Sequence, residues 1–246
     1  MTTAPAGRGS LIARVRGLWE HLAGTGARFG PAISVAVAGR SHVCPPGWAG
    51  IVVIGDTALA TAPDHETARR VEQALGGLPA TSLTGAEGLA RRLPVAEILG
   101  PATLAYLDPA DFRPQPHDAV TGPLDLDDPG LRQFLMAVST DDLEESALGE
   151  ITSPAFAVRE GSQLVAAAGY RDWPHGTAHL CVLTAAGVRG RGLGRAAASA
   201  AVASAIGDGR LPQWRARGQQ SRHIARALGF RELGTQVSIR LAEHRS

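Results

Sequence analysis

The apolar residues change their spacing several times along the chain, and each change marks an element. Leu11, Val15, Leu18 and Leu22 recur at helical spacing before Gly24, which predicts an amphipathic helix over 11–24. GIVVIGDTALATAP (50–63) joins two β-rich runs through Gly55-Asp56 as a hairpin would, and DHETARRVEQALGG (64–77) opens on acids and closes on glycine like a helix. GAEGLARRLPVAEILG then predicts a short helix and PATLAYLD (101–108) a strand.

Over 109–130 the periodicity gives way to Pro, Asp and Gly, which predicts a linker or an ordered crossover between two halves. Beyond it LRQFLMAVS and TDDLEESALGEI are helical, and AFAVREG, SQLVAAAGYRD and TAHLCVLT form an antiparallel meander. The expected organisation is an N-terminal α/β domain over 1–120 and a second domain over 121–246.

With 246 residues, 44% of them hydrophobic, the chain can build one large core or two small ones. The net charge of +1 balances 24 basic against 23 acidic residues, so no global field draws it to nucleic acid or a membrane surface and any anion site must be local. All the basic residues are Arg, a compositional bias that lowers the weight of any single one. No apolar run reaches the roughly 18 to 20 residues that span a bilayer. The opening MTTAPAGRGSLIARVRGLW lacks a secretory core, so cytoplasmic residence is expected. The histidines are scattered, Cys44 and Cys181 lie in segments of different character, and the four tryptophans are widely separated without basic interleaving; neither a metal site nor stacking on nucleic acid is expected.

One segment fits no simple period. GVRGRGLGRAAASAAVASAIG (187–207) sets three arginines and three glycines into the seven positions 189–195 and continues in small side chains. A strand ending near Thr184, a glycine-rich turn and a helix starting near Leu193 make a nest of N–H groups at a helix N-terminus, which suits phosphate. Gly192 and Gly194 let the backbone approach the anion, while Arg189, Arg191 and Arg195 add charge-assisted hydrogen bonds. Ala197, Ala200, Ala201 and Ala205 allow the helix to pack closely on a sheet. A P-loop needs a lysine, which the chain lacks, and GRGLGRAA fails the spacing of a dinucleotide fingerprint.

LTAAGVRGRGLGRA resembles the acyl-coenzyme A segment of the GNAT N-acetyltransferase superfamily, whose signature is Gln or Arg, two residues, Gly, one residue, Gly or Ala. Arg189, Gly192 and Gly194 fill those places. PQWRARGQQSRHIARALGF is similar to the family's next strand and helix, ending in Leu228, Gly229 and Phe230, and the resemblance covers about residues 130–241. It implies an α/β (α+β) fold for 121–246, a mixed, mostly antiparallel sheet flanked by helices. Residues 1–120 are then a smaller α/β domain or a degenerate relative of the second half. It implies further that acetyl-CoA lays its diphosphate on Arg189, Gly190, Arg191, Gly192, Leu193, Gly194 and Arg195, with the pantetheine arm beside Leu183 and Thr184. The partners implied are acyl-CoA and an amine acceptor, with no nucleic acid, no membrane and no metal, in a monomer or homodimer.

The sequence departs from the family where Gly218 and Ala225 stand in place of an Asn and of the usual tyrosine acid. A coenzyme A thiol with a pKa about that of free Cys, roughly 8.5, leaves tolerably without an acid, but an alkyl amine of pKa about 10 must lose a proton. His179 precedes the signature on its strand and is either that base or a histidine packed on a sheet face. Tyr170 is either a proton donor or core, and Ser221 either approaches the sulfur or caps a helix. Two other functional readings stand beside the enzyme: a non-catalytic acyl-CoA sensor that kept the phosphate cradle, and a protein-interaction module in the first half.

Overall fold

The structure, a computed structural model, describes residues 8–24 and 26–242. In chain order its helices and strands are α1 (Arg8–Ala23), β1 (Val35–Val37), β2 (Ala49–Ile54), β3 (Thr57–Ala62), α2 (His65–Leu75), α3 (Ala86–Arg92), β4 (Val95–Tyr106), β5 (Val120–Leu124), α4 (Pro129–Ala137), α5 (Thr140–Ser146), β6 (Ala155–Glu160), β7 (Gln163–Trp173), β8 (Thr177–Thr184), α6 (Leu193–Gly207), β9 (Leu211–Ala216), α7 (Gln219–Ala227) and β10 (Arg231–Leu241). They divide into two compact units. The first runs through Leu104 and takes back Ala216–Gly218 and the chain from Glu232 onward; the second holds Ala105–Arg215 and Gln219–Arg231.

In the first unit the strand order is β1-β3-β2-β10-β4. The hairpin read from the sequence is present: β2 and β3 pair antiparallel from Gly50↔Thr61 to Ile54↔Thr57, and Gly55 turns at φ +62°. α2 starts where Asp64 accepts the Thr67 N–H at 2.7 Å and buries Ala68, Val71 and Leu75 with Ile51, Val53 and Ala60. VAEILG, grouped with a helix in the sequence reading, is strand instead. Pro94 has no N–H to donate and turns Leu93 to φ −128°, so α3 stops at Arg92 and β4 begins at Val95.

In the second unit the order is β9-β8-β7-β6-β5, antiparallel at β5/β6, β6/β7 and β7/β8 and parallel at β8/β9. The 109–130 stretch is an ordered part of this unit, because β5 pairs with β6. One sheet face is covered by α6, whose Ala197, Ala201 and Ala205 are fully buried at the spacing the sequence predicts. The other face packs Ala167, Cys181 and Leu183 against Leu131, Phe134, Leu148 and Ile151. The mixed, mostly antiparallel sheet flanked by helices is therefore the architecture of the second unit.

Candidate functional site

β8 pairs with β7 along its whole length, from Ala166↔Thr184 to Trp173↔Thr177. With β9 it pairs over three positions only, the last being His179↔Gln213, although β8 continues to Thr184 and β9 to Ala216. The two strands part there. The Ala185 N–H bonds the Val165 carbonyl at 2.9 Å, and the Leu211 N–H bonds the Gly176 carbonyl at 2.8 Å. By alternation the Leu180 carbonyl and the N–H and C=O groups of Val182 and Thr184 turn to the open side beyond the last pair, while Leu183 turns its own to β7 and buries its side chain. An unpaired strand edge of this kind is a template for an extended ligand.

The slot leads to the glycine turn. Gly190 and Gly192 adopt φ +82° and +83°, and Gly192 caps α6 without a side-chain bond. Among the described residues the N–H groups of Gly190, Arg191 and Gly192 have no hydrogen-bond partner. Leu193, Gly194 and Arg195 follow in the first helical turn, whose N–H groups have no intrahelical acceptor. A Cβ on Gly194 would overlap Thr184 Oγ1, so glycine alone lets α6 seat this closely on the end of β8. Open donors at a helix N-terminus, with no Cβ at Gly190 and Gly192, fit a diphosphate.

The three arginines of the turn are not equivalent. Arg189 reaches Asp142 at 2.6 Å and donates from Nε to the Thr184 carbonyl at 3.2 Å. The hydrogen bond from Arg189, and after it that from Ser139, holds the Asp142 carboxyl below its ordinary range. Arg191 pairs with Glu160 at 2.5 Å. Arg195 has no acidic partner among the described residues, and its buried Nε has no hydrogen-bond partner. It is the cation left for an anion. On the resemblance to an acyl-coenzyme A segment, replacing Arg195 with Ala is expected to weaken coenzyme A binding about 10- to 100-fold, the worth of one charge-assisted hydrogen bond. Arg191→Ala, already neutralised, should change it at most a few-fold. Isothermal calorimetry on the two variants reads the difference, and equal losses would overturn the ranking.

Among the sequence candidates, His179 stands where the strands part. Its ring stacks on Trp173 with centroids 4.5 Å apart and planes 13° apart, and Nδ1 lies 2.5 Å from Gln213 Oε1. Burial pushes its pKa down to about 4, opposed by the Gln213 hydrogen bond and reinforced by Arg215 and Arg171, so it is neutral at pH 7. Tyr170 is on the opposite, α6 face. Its O–H donates to Asp208 Oδ2 at 2.6 Å, and burial, then that carboxylate, push it up to about 12; it ties β7 to the C-terminal cap of α6. Ser221 lies inside the first turn of α7 rather than capping it, and accepts the Trp214 indole N–H at 2.9 Å. Ala225, in place of the family's tyrosine, is 2% exposed. Sequence reasoning missed Gln213; a lone amide in the otherwise apolar start of β9, LPQW, was the available signal. Among the described residues no three His, Cys, Asp or Glu side chains gather to hold a metal ion, and no helix is long and apolar enough to cross a membrane.

Residues 152–236 match the family model for GNAT acetyltransferase. No curated protein matches the chain. Among solved structures, a GCN5-related N-acetyltransferase from Kribbella flavida is 21% identical, over 77% of this chain and 88% of that one, at a TM-score of 0.50. A GNAT-family protein from Novosphingobium aromaticivorans is 19% identical at a TM-score of 0.46, and the match takes in 59% of this chain and 65% of the other. A GCN5-related N-acetyltransferase-like protein from Streptococcus suis is 16% identical over 95% of this chain and 99% of that one, at a TM-score of 0.43. At such identities the first of these speaks for fold alone.

Proposed function

We propose, from the premise that residues 152–236 form a GNAT acetyltransferase domain, that the protein passes an acyl group from acetyl-CoA directly to an amine within a ternary complex. The observation that carries this reading is the continuity of the open edge of β8 with the amide nest at Gly190–Arg195, since it accommodates an extended arm ending in a diphosphate.

The thioester supplies an activated acyl carbon and a thiolate leaving group. The N–H group of Val182, beyond the last β8/β9 pair, is the donor that polarises its carbonyl, and it needs no reorganisation to do so. The amine nitrogen bonds to the acyl carbon, the C–S bond breaks, and the sulfur leaves as thiolate. Without a tyrosine at Ala225, solvent protonates that thiolate, whose ordinary pKa of about 8.5 makes it a tolerable leaving group. His179 takes the proton from nitrogen. Its depressed basicity is too weak to deprotonate a free ammonium, so it acts once bonding to the acyl carbon has made the N–H acidic.

Calorimetry with coenzyme A and a screen of amines with labelled acetyl-CoA test the proposal. Saturable binding with transfer to at least one amine is the expected outcome. Tight binding with no transfer favours the sensor instead, and absence of binding overturns both.

A further inference from the structure

Gln213 is fully buried, yet its side chain makes a single polar contact: Oε1 meets His179 Nδ1, and Nε2 has no hydrogen-bond partner among the described residues. A half-satisfied amide is a costly way to fill apolar space, which Met or Leu of similar volume fills without an unpaired donor. Packing therefore does not account for it. Its position does: Gln213 and His179 are the last paired residues before β8 and β9 part.

The orientation of the amide and the tautomer of the ring are linked. With Oε1 toward the imidazole, the proton sits on Nδ1 and the lone pair on Nε2; the reversed amide selects the opposite tautomer. Among the described residues the other groups around the ring give Nδ1 no further hydrogen bond. Trp173 stacks on its face, and the neighbouring charges are the cations Arg171 on β7 and Arg215 on β9. The nearby acid Glu150 is taken by Arg171 at 2.5 Å.

We infer that Gln213 is a positioning residue for acyl transfer: its carboxamide oxygen holds His179 as the Nδ1–H tautomer and so presents Nε2 to the proton of the attacking amine. This rests on the acyltransferase reading above. The proton moves from the amine nitrogen to Nε2, the imidazolium keeps its Nδ1–H on Gln213 Oε1, and the proton then passes from Nε2 to solvent. Gln213 changes neither charge nor proton count.

The full chain carrying 15N-labelled histidine reports the tautomer directly by NMR, without any substrate. The wild type is expected to show a protonated Nδ1 and a bare Nε2 at His179. Gln213→Met should give a tautomer mixture and lower kcat at least tenfold, leaving KM for acetyl-CoA and Tm unchanged, a split that a merely structural role would not produce. Gln213→Glu should keep the Nδ1 proton but place a carboxylate beside the imidazolium, so an ascending limb enters the kcat profile near neutral pH. A wild-type Nε2–H tautomer, or Gln213→Met with unaltered tautomer and kcat, overturns the inference while leaving the acyltransferase reading intact. If no amine is acylated by the wild type, the acyltransferase reading and the positioning role fall together, and the NMR result still states whether Gln213 sets the ring.

Discussion

Gly229→Ala is expected to destabilise the protein by about 2–5 kcal/mol and lower its melting temperature by roughly 10 °C. Gly229 ends α7 in a Schellman arrangement: the Phe230 N–H bonds the Ala225 carbonyl at 3.0 Å and the Gly229 N–H bonds the Arg226 carbonyl at 3.0 Å. The motif needs a left-handed residue at this position, and Gly229 supplies it at φ +99°. A side chain there adds the left-handed penalty, about 1–2 kcal/mol. It also overlaps the backbone carbonyl oxygen of Asp111, which cannot rotate away as a side chain would. That backbone is itself fixed, since the Arg113 N–H bonds the Leu228 carbonyl at 3.0 Å. Gly187→Ala is the control, because nothing lies within 4 Å of its Cβ position and it has no left-handed φ. Thermal melts of the two variants decide the matter; a drop below about 2 °C for Gly229→Ala would mean that the 111 loop yields freely.

His179→Gln is expected to lower kcat by about 10²–10⁴-fold while leaving coenzyme A affinity unchanged. The residue touches the parting point of the strands and lies away from the amide nest, so loss of the proton acceptor and loss of the carrier are separable. The pH behaviour has a definite sign. The folded pKa of about 4 lies below the ordinary 6.5, so wild-type catalysis does not decline through His179 protonation between pH 8 and 6. Any fall there belongs to the amine. Stability behaves differently: between 6.5 and about 4 the unfolded chain binds this proton and the folded chain does not, so lowering the pH through that window favours unfolding. His179→Gln removes that component, and its Tm should fall less steeply with acid than that of the wild type. Equal kcat in the two proteins would remove His179 from the mechanism.

These two residues also mark how far the sequence reading reached. The Leu228-Gly229-Phe230 ending was read through the family resemblance, and the left-handed backbone of Gly229 is the local requirement behind it. The turn at 189–195 was legible from its run of glycines: Gly190 and Gly192 adopt a positive φ, while Gly194, read with Gly192 as a point of close approach, lies inside α6 against Thr184. The division of labour among its arginines was not. Arg189 and Arg191 are engaged by Asp142 and Glu160, which lie 47 and 31 residues earlier in the sequence, and no spacing rule records that pairing. Alternation along β8 sets His179 on the face opposite Leu180 and Val182, but does not say what faces the histidine.

Periodicity, caps and glycine positions are set within a few residues of chain, and the sequence alone determined the hairpin at β2/β3, the helices α4, α5 and α6, the meander and the glycine turn before α6. Tertiary structure decided that the last strand, β10, joins β2 in the first unit, pairing Gly234 with Ile54. It also decided that β8 and β9 separate after one short parallel stretch and that Gln213 meets His179 across the end of it. Each of these depends on partners tens to hundreds of residues apart, and which of many sterically allowed pairings forms is chosen by the burial of the whole sheet rather than by any segment of it.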